Sequence, residues 1–393
     1  MKILCASIDL PGHLDWGGYL ATAVALSLRG HDVRWASGET VESSVKQSGL
    51  SFTVLTKSGW RHQMPPLSAE LSPEAREEAR RERALAVWLS PEPVLHALAE
   101  LETLAAEFLP DVVLVEPYMA AGVLLAEKLA LSVSIVGRPA LPPTELESFA
   151  TDWIGVLCEA AGVEGAYWDL PRGMPRSARL HLDFFCRSWY ADLPEIAPQT
   201  QFCGGLPVLP APDLPAEFKH LADSDRPVAL VTLGSTFAND ETFFRLAAES
   251  VQMVGGNALV VTGRRTPELL ASLQEAPPGR STVVDWIDYA AVFPHLTAVV
   301  HHGGVATTHA ALVHGISQVV VPHAGDQFPQ AARVTQAQVG YGIRPRDFTL
   351  ENAPMIVADA VHDPEFRENA LELAEEMQAL GGMKRAVEVV EKM

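Results

Sequence analysis

The residues best equipped for chemistry lie in two neighbouring stretches of the second half. One runs from Val299 to Gly315 (VVHHGGVATTHAALVHG), the other from Val319 to Gln327 (VVVPHAGDQ). Each begins with an apolar run of strand type. In the first, the Gly303-Gly304 turn leads into a helix that opens near Thr307 and Thr308. A glycine-rich turn at a helix N-terminus presents free backbone N–H groups and a partial positive charge, which suits an anion, phosphate above all. Thr307 and Thr308 add hydroxyl donors, and His302 adds an imidazole beside the same turn. Asp326-Gln327 falls beyond the carboxyl end of the next strand, where open α/β sheets bind ligands. A phosphate cradle with a polar reader of hydroxyls nearby describes a nucleotide-sugar site. Far upstream, the turn Asp9 to Gly18 (DLPGHLDWGG) places His13 just past a glycine, at the carboxyl edge of the first strand.

Such loops need parallel strands behind them, and the chain supplies two series. In the first half, residues 2–8, 32–36, 51–55, 111–115 and 132–136 read as short buried strands, with a helix over 14–29. Short Val/Ile/Leu runs between helical segments predict an α/β class with a parallel sheet covered on both faces. The segment 56–110 is an insertion richer in helix than a minimal crossover needs. Its charge run 70–83 reads as a solvated helix face, while Trp60, Met64, Trp88 and Leu89 suggest a binding wall. From Gly204 to Pro227 the chain turns proline-rich, which marks an interdomain linker. A second series follows at 228–235, 257–262, 282–284, 297–300 and 318–321. Two such series separated by prolines predict two Rossmann-like βαβ domains facing a central cleft.

Composition limits the function classes. At 393 residues the chain holds about two domains. A net charge of −20 argues against nonspecific nucleic-acid or anionic-membrane binding, which needs an excess of Lys and Arg. A diphosphate must then be captured by local dipoles and hydroxyls. The four cysteines are widely spaced with no CxxC pair, so neither a zinc site nor a disulfide framework is indicated, and a reducing cytoplasm is expected. The first strand is too short for a signal sequence, and no apolar run is long enough to cross a membrane.

His301-His302-Gly303-Gly304, Thr307-Thr308, Ala311, Gly315, Pro322 and Asp326-Gln327 together resemble the donor signature of bacterial family 1 glycosyltransferases, the UDP- or dTDP-sugar-dependent type that decorates macrolides and other natural products. The resemblance implies the GT-B fold. It divides the chain into an acceptor-binding domain (1–205), a linker (206–227), a nucleotide-sugar-binding domain (228–375) and a C-terminal helix (376–393) packing back on the first domain. It also implies an inverting, metal-independent hexosyltransferase without a cofactor. The donor would be a UDP- or dTDP-sugar and the acceptor a hydrophobic small molecule, with a homodimer left open.

Residue by residue, Gly12-His13 matches the family's general-base loop, and a base is what an acceptor hydroxyl needs before it can attack. The family pairs this histidine with an Asp after the fourth strand, where this chain has Glu116; Asp15 is a second candidate partner. Donor contacts are implied for Ser235, Trp286, Ile287, His302, Gly303, Gly304, Thr307, Asp326 and Gln327. Trp286-Ile287 stands where the family holds the base, although the glutamine common in plant members is missing and Ala310 replaces their glutamate. For the acceptor, the first-half loops offer Trp16, Met64, Tyr118, Met119, Phe149 and Trp153, side chains suited to a flat, greasy ligand. Two other readings stand beside transfer. One is a nucleotide-sugar epimerase of the same fold, which would need several acidic residues around the sugar. The other is a catalytically silent nucleotide-sugar-binding auxiliary protein.

Overall fold

The computed structural model describes residues 1–14, 18–61, 67–68, 70–137, 146–169, 174–175, 180–193, 196, 198–205, 213–234, 240–263, 267–275, 277, 280–323 and 326–393. They form two compact units. The first gathers Met1–Asp183, Glu195–Cys203 and Met383–Met393; the second gathers Phe184–Pro194 and Gly204–Gly382.

The first unit carries strands β1 (Lys2–Ala6), β2 (Asp32–Ser37), β3 (Ser51–Val54), β4 (Val112–Val115) and β5 (Ser132–Val136). They are followed by β6 (Trp168–Asp169), β7 (Met174–Pro175), β8 (Leu180–Asp183) and β9 (Thr200–Phe202). β6 and β7 make a small antiparallel pair. The other seven form one sheet in the order β3-β2-β1-β4-β5-β8-β9, with every neighbouring pair parallel. Parallel pairing requires crossovers, and the helices that supply them cover the sheet. The helix Pro91–Phe108 buries Val94, Ala97, Leu98, Leu101, Leu104, Ala105 and Phe108, the stripe a 3.6-residue period creates. The charged helix Pro73–Leu89 starts with proline in its first turn, and Ser72 accepts the Ala75 amide as its cap, a contact of the kind that contributes about 1 kcal/mol.

The second unit carries β10 (Val228–Thr232), β11 (Asn257–Val261), β12 (Ser281–Val284), β13 (Ala298–His301), β14 (Ser317–Val320) and β15 (Gly340–Gly342). Their order is β12-β11-β10-β13-β14-β15, again all parallel. One face buries Phe243, Phe244, Val251 and Val357, the other Phe218, Ile287, Phe293 and Ala311. Both sheets change winding direction beside their first strand, between β1 and β4 and between β10 and β13. The crevice outside the carboxyl ends at such a switch point is where open α/β sheets bind ligands.

The structure departs from the sequence expectations in particular places. The helix expected over 14–29 is two helices, Pro11–Leu14 and Tyr19–Leu28, and Gly18 before the second has φ of 79°. Within the expected linker, Ala216–Ala222 is a helix whose Phe218 and Leu221 join the core of the second unit. Phe184–Pro194 belongs to that unit as well, although it lies in the stretch read as the first domain. It is fastened there by the His309 ring, whose Nε2 donates to the Phe184 carbonyl at 3.0 Å. Trp189 Nε1 donates to Gln330 at 3.2 Å, and the buried Arg333 guanidinium meets Asp192 at 3.3 Å and lies over the Tyr190 ring. At the other end, Met383–Met393 counts with the first unit. There Glu391 accepts Arg29 Nε and Nη2 at 2.9 and 2.8 Å and His31 Nε2 at 3.0 Å. Among the described residues no helix is long and apolar enough to cross a membrane.

Candidate functional site

The first unit brings His13 and Glu116 together at its switch point. Beyond β1 the chain turns into the one-turn helix Pro11–Leu14, pinned where the His13 amide donates to the Leu10 carbonyl at 2.9 Å. Glu116 directly follows β4, and its amide donates to the Ala6 carbonyl at 3.0 Å. His13 Nδ1 then lies 2.8 Å from Glu116 Oε1, while Glu116 Oε2 accepts the Tyr118 amide at 3.1 Å. Both oxygens of this buried carboxyl group are therefore engaged, which fixes its orientation. The histidine side chain is 20% exposed and that of its partner 0%, so only the imidazole can meet a ligand from outside. An Nδ1–H held by a carboxylate leaves the lone pair on Nε2, the arrangement a general base requires.

Aromatic rings surround this pair. Tyr118 lies 5.6 Å from the His13 ring centroid and Trp60 lies 6.5 Å away. Trp60 and Trp88 each meet Tyr118 edge-on, at 5.3 and 5.6 Å. Trp60 and Trp88 come from the insertion, where type alone could not separate wall from core.

In the second unit the signature folds as a knot around two histidines. His301 ends β13 and is fully buried. Its Nδ1 accepts the Gly303 amide at 3.1 Å, so its proton sits on Nε2, which donates to Gln318 Oε1 at 3.0 Å. Burial pulls its pKa down to about 3, which keeps this ring neutral and structural. His302 is 7% exposed, and burial, with His323 nearby, lowers its pKa to about 4. It therefore offers an uncharged imidazole at neutral pH. Its Nδ1 is buried without a hydrogen-bond partner among the described residues.

Two glycines make room for that ring. A Cβ on Gly304 would stand 2.6 Å from His302 Nε2, and one on Gly234, where φ is +66°, would stand 2.7 Å from Cε1. Gly303, with φ of +88°, packs against Val320 and the Gln327 backbone. The helix Val305–Val313 starts at Gly304 with no side-chain cap. Its first N–H groups are the orphan donors to which anions bind.

The remaining expected donor residues divide by burial. Thr307 is 5% exposed, and with Thr232 it lies beside the Tyr289 hydroxyl, a neighbour that sequence did not suggest. Gln327 is also buried, and its side-chain oxygen accepts the His323 amide at 2.7 Å, closing the loop after β14. Asp326 is exposed at the head of the helix Gln327–Gln336. Trp286 is 54% exposed just past β12, whereas Ile287 points into the core. Any ligand contact from Ile287 must therefore use its backbone. His323, absent from the expected set, has Nε2 3.8 Å from Asp240.

Among the expected acceptor residues, Tyr118 stands against His13. Met119 is 1% exposed and packs in the core of the first unit. Trp153 is partly buried against the same core. Trp16, Met64, Ser235, Asp15 and the Phe149 side chain lie outside the described residues.

Residues 250–393 match the family described as the C-terminal domain of erythromycin biosynthesis protein CIII-like proteins. The chain is 26% identical to 4'-demethylrebeccamycin synthase of Lentzea aerocolonigenes, covering 99% of each protein. It is 24% identical to erythronolide mycarosyltransferase of Saccharopolyspora erythraea, covering 96% of this chain and 94% of that one. Among solved structures, the spinosyn rhamnosyltransferase SpnG complexed with thymidine diphosphate superposes with a TM-score of 0.78 at 20% identity, over 100% of both chains. With parallel sheets wound in this way, a capless glycine turn at one switch point and a His–Glu pair at the other, the chain has the GT-B fold and is similar over nearly its whole length to glycosyltransferases of natural-product biosynthesis.

Proposed function

We propose that the protein moves a hexosyl group from a thymidine diphosphate sugar to a hydroxyl of a hydrophobic small molecule, inverting the anomeric centre, with His13 as general base. The observation that carries this reading is the 2.8 Å contact between His13 Nδ1 and the buried Glu116 carboxyl. His13 Nε2 takes the proton of the acceptor hydroxyl as its oxygen bonds to the anomeric carbon. The bond from that carbon to the diphosphate oxygen breaks, its electron pair stays on the phosphate, and Glu116 stabilises the imidazolium that results.

The leaving diphosphate is met by the N–H groups at the start of helix Val305–Val313 and by the neutral His302 ring, preorganised donors of the kind that lower a barrier most. No metal enters this scheme. Trp286, exposed at the end of β12, offers its face to the base, and Asp326 with Gln327 reads sugar hydroxyls. Thymidine is favoured over uridine by the nucleotide bound to the spinosyn enzyme. Trp60 and Tyr118 beside His13 favour a flat, apolar acceptor.

The test is to incubate the protein with TDP-glucose or UDP-glucose and a pool of polyketide and aromatic aglycones, with and without EDTA. Mass spectrometry reads hexosylated products, and NMR reads the anomeric configuration. The expected product is a β-glucoside formed from the α-linked donor, unaffected by EDTA. A retained configuration, or loss of turnover in EDTA, contradicts the scheme.

A further inference from the structure

The strands that deliver His13 and Glu116 share one buried phenol. Tyr19 opens the helix Tyr19–Leu28, is 0% exposed, and packs its ring on Trp35 at 4.5 Å. Its oxygen accepts the Ala6 amide at 2.9 Å and donates to the Leu114 carbonyl at 2.7 Å, with the Ala6 carbonyl 3.1 Å away. Ala6 is the last residue of β1, from which the chain runs to His13. Leu114 sits in β4 just ahead of Glu116. The Ala6 carbonyl also accepts the Glu116 amide at 3.0 Å, so phenol, strand ends and carboxyl group make one hydrogen-bonded knot. Burial holds the Tyr19 pKa well above the usual tyrosine range, so this hydroxyl remains a fixed donor and takes no part in proton transfer.

We propose that Tyr19 is a positioning residue for the His13–Glu116 pair: by bridging Ala6 and Leu114 it sets the spacing of the carboxyl ends of β1 and β4, and through them the length of the Nδ1–Oε1 hydrogen bond. The inference rests on the reading of His13 as general base. Removing the hydroxyl takes away an acceptor of the Ala6 amide and a donor to the Leu114 carbonyl, which loosens the junction between the strand ends. Catalytic geometry is sensitive to such shifts, because misplacement by about 1 Å can cost 10²-fold in rate.

The experiment is a double-mutant cycle on the transfer reaction with native protein, Tyr19→Phe, Glu116→Gln and the double variant, reading kcat, acceptor KM and TDP affinity. Tyr19→Phe is expected to lower kcat roughly tenfold, leaving KM and TDP affinity within about twofold. In the Glu116→Gln background the same substitution is expected to change kcat by less than about twofold, because the carboxylate it positions is already gone. An equal loss of kcat in both backgrounds marks a merely structural residue and overturns the proposal, as does an unchanged kcat in the single variant. Should Tyr19→Phe lose its cooperative melt, 4-aminophenylalanine at that position, which donates to Leu114 but accepts poorly from Ala6, is run through the same cycle and must show the same non-additivity. Failure of the base reading is separate: His13→Ala with native turnover removes it, and the positioning role with it, whatever Tyr19→Phe does.

Discussion

Alanine at Gly304 isolates the placement of the His302 ring. Gly304 has φ of −61° and ψ of 139°, a region any residue accepts, so the substitution carries no backbone strain. Its methyl group, however, would stand 2.6 Å from His302 Nε2 and 2.8 Å from Cε1. Ordinary contact begins near 3.5 Å, so the ring must retreat by roughly 1 Å. It is 7% exposed, so it moves only by rotating or by displacing packed neighbours. Overpacking of this kind costs about 1–3 kcal/mol. A donor displaced by that much loses its bond to a charged ligand, so TDP affinity should fall about 10- to 100-fold. Calorimetric titration with TDP and thermal melts read the two effects separately. In a His302→Ala background, where the ring is gone, Gly304→Ala should add nothing to either loss. Native TDP affinity in Gly304→Ala would refute the assignment of His302 to the diphosphate.

Other consequences follow from burial and charge. Burial holds His301 near 3 and His302 and His309 near 4, below the unfolded value of about 6.5. As pH falls from that value towards 4 the unfolded chain binds more protons, so stability present above pH 6.5 is lost at up to about 1.4 kcal/mol per pH unit for each histidine. Melts from pH 7.5 to 4.5 should show this decline, and His309→Gln should flatten it. Arg333, 1% exposed, holds Asp192 and the Tyr190 ring. Arg333→Ala should cost about 3 kcal/mol in urea unfolding by leaving the docked segment Phe184–Pro194 without its anchor. Trp60→Ala should raise acceptor KM about tenfold through lost apolar area while TDP affinity, measured by titration, stays native.

What the sequence made legible was the part written in long apolar runs and glycine spacing. β4 (VVLV), β5 (SVSIV) and β10 (VALVT) are buried on both faces, and such strands must read as continuous hydrophobic runs. β8 escaped because its buried positions hold His181 and Asp183, polar residues that only tertiary partners make tolerable. β15 is Gly-Tyr-Gly, too short for any periodicity. Phe184–Pro194 carries aromatic residues that suit either unit, and the partners His309, Gln330 and Arg333, far along the chain, decide between them.

The site followed the same division. Glycine and histidine types at the turns marked the loops, because backbone approach and proton chemistry demand those residues. Which polar groups face inward did not show. Thr307 turns to Tyr289 and Gln327 to its own loop. Glu116, read from the sequence as the partner of His13 where the family carries an aspartate, also accepts the Tyr118 amide, a contact the sequence did not show. Tyr19 left no signal, since a tyrosine at a helix start looks like ordinary core until the sheet ladder beside it is seen.

The central claim is that His13, held by Glu116, removes the acceptor proton. Single-turnover transfer from saturating TDP-sugar, compared between the native protein and His13→Ala, tests it most directly. The account predicts a rate at least about 10²-fold lower in the variant, with TDP affinity unchanged because the proposed nucleotide site lies in the other unit. Equal rates in the two proteins would contradict it.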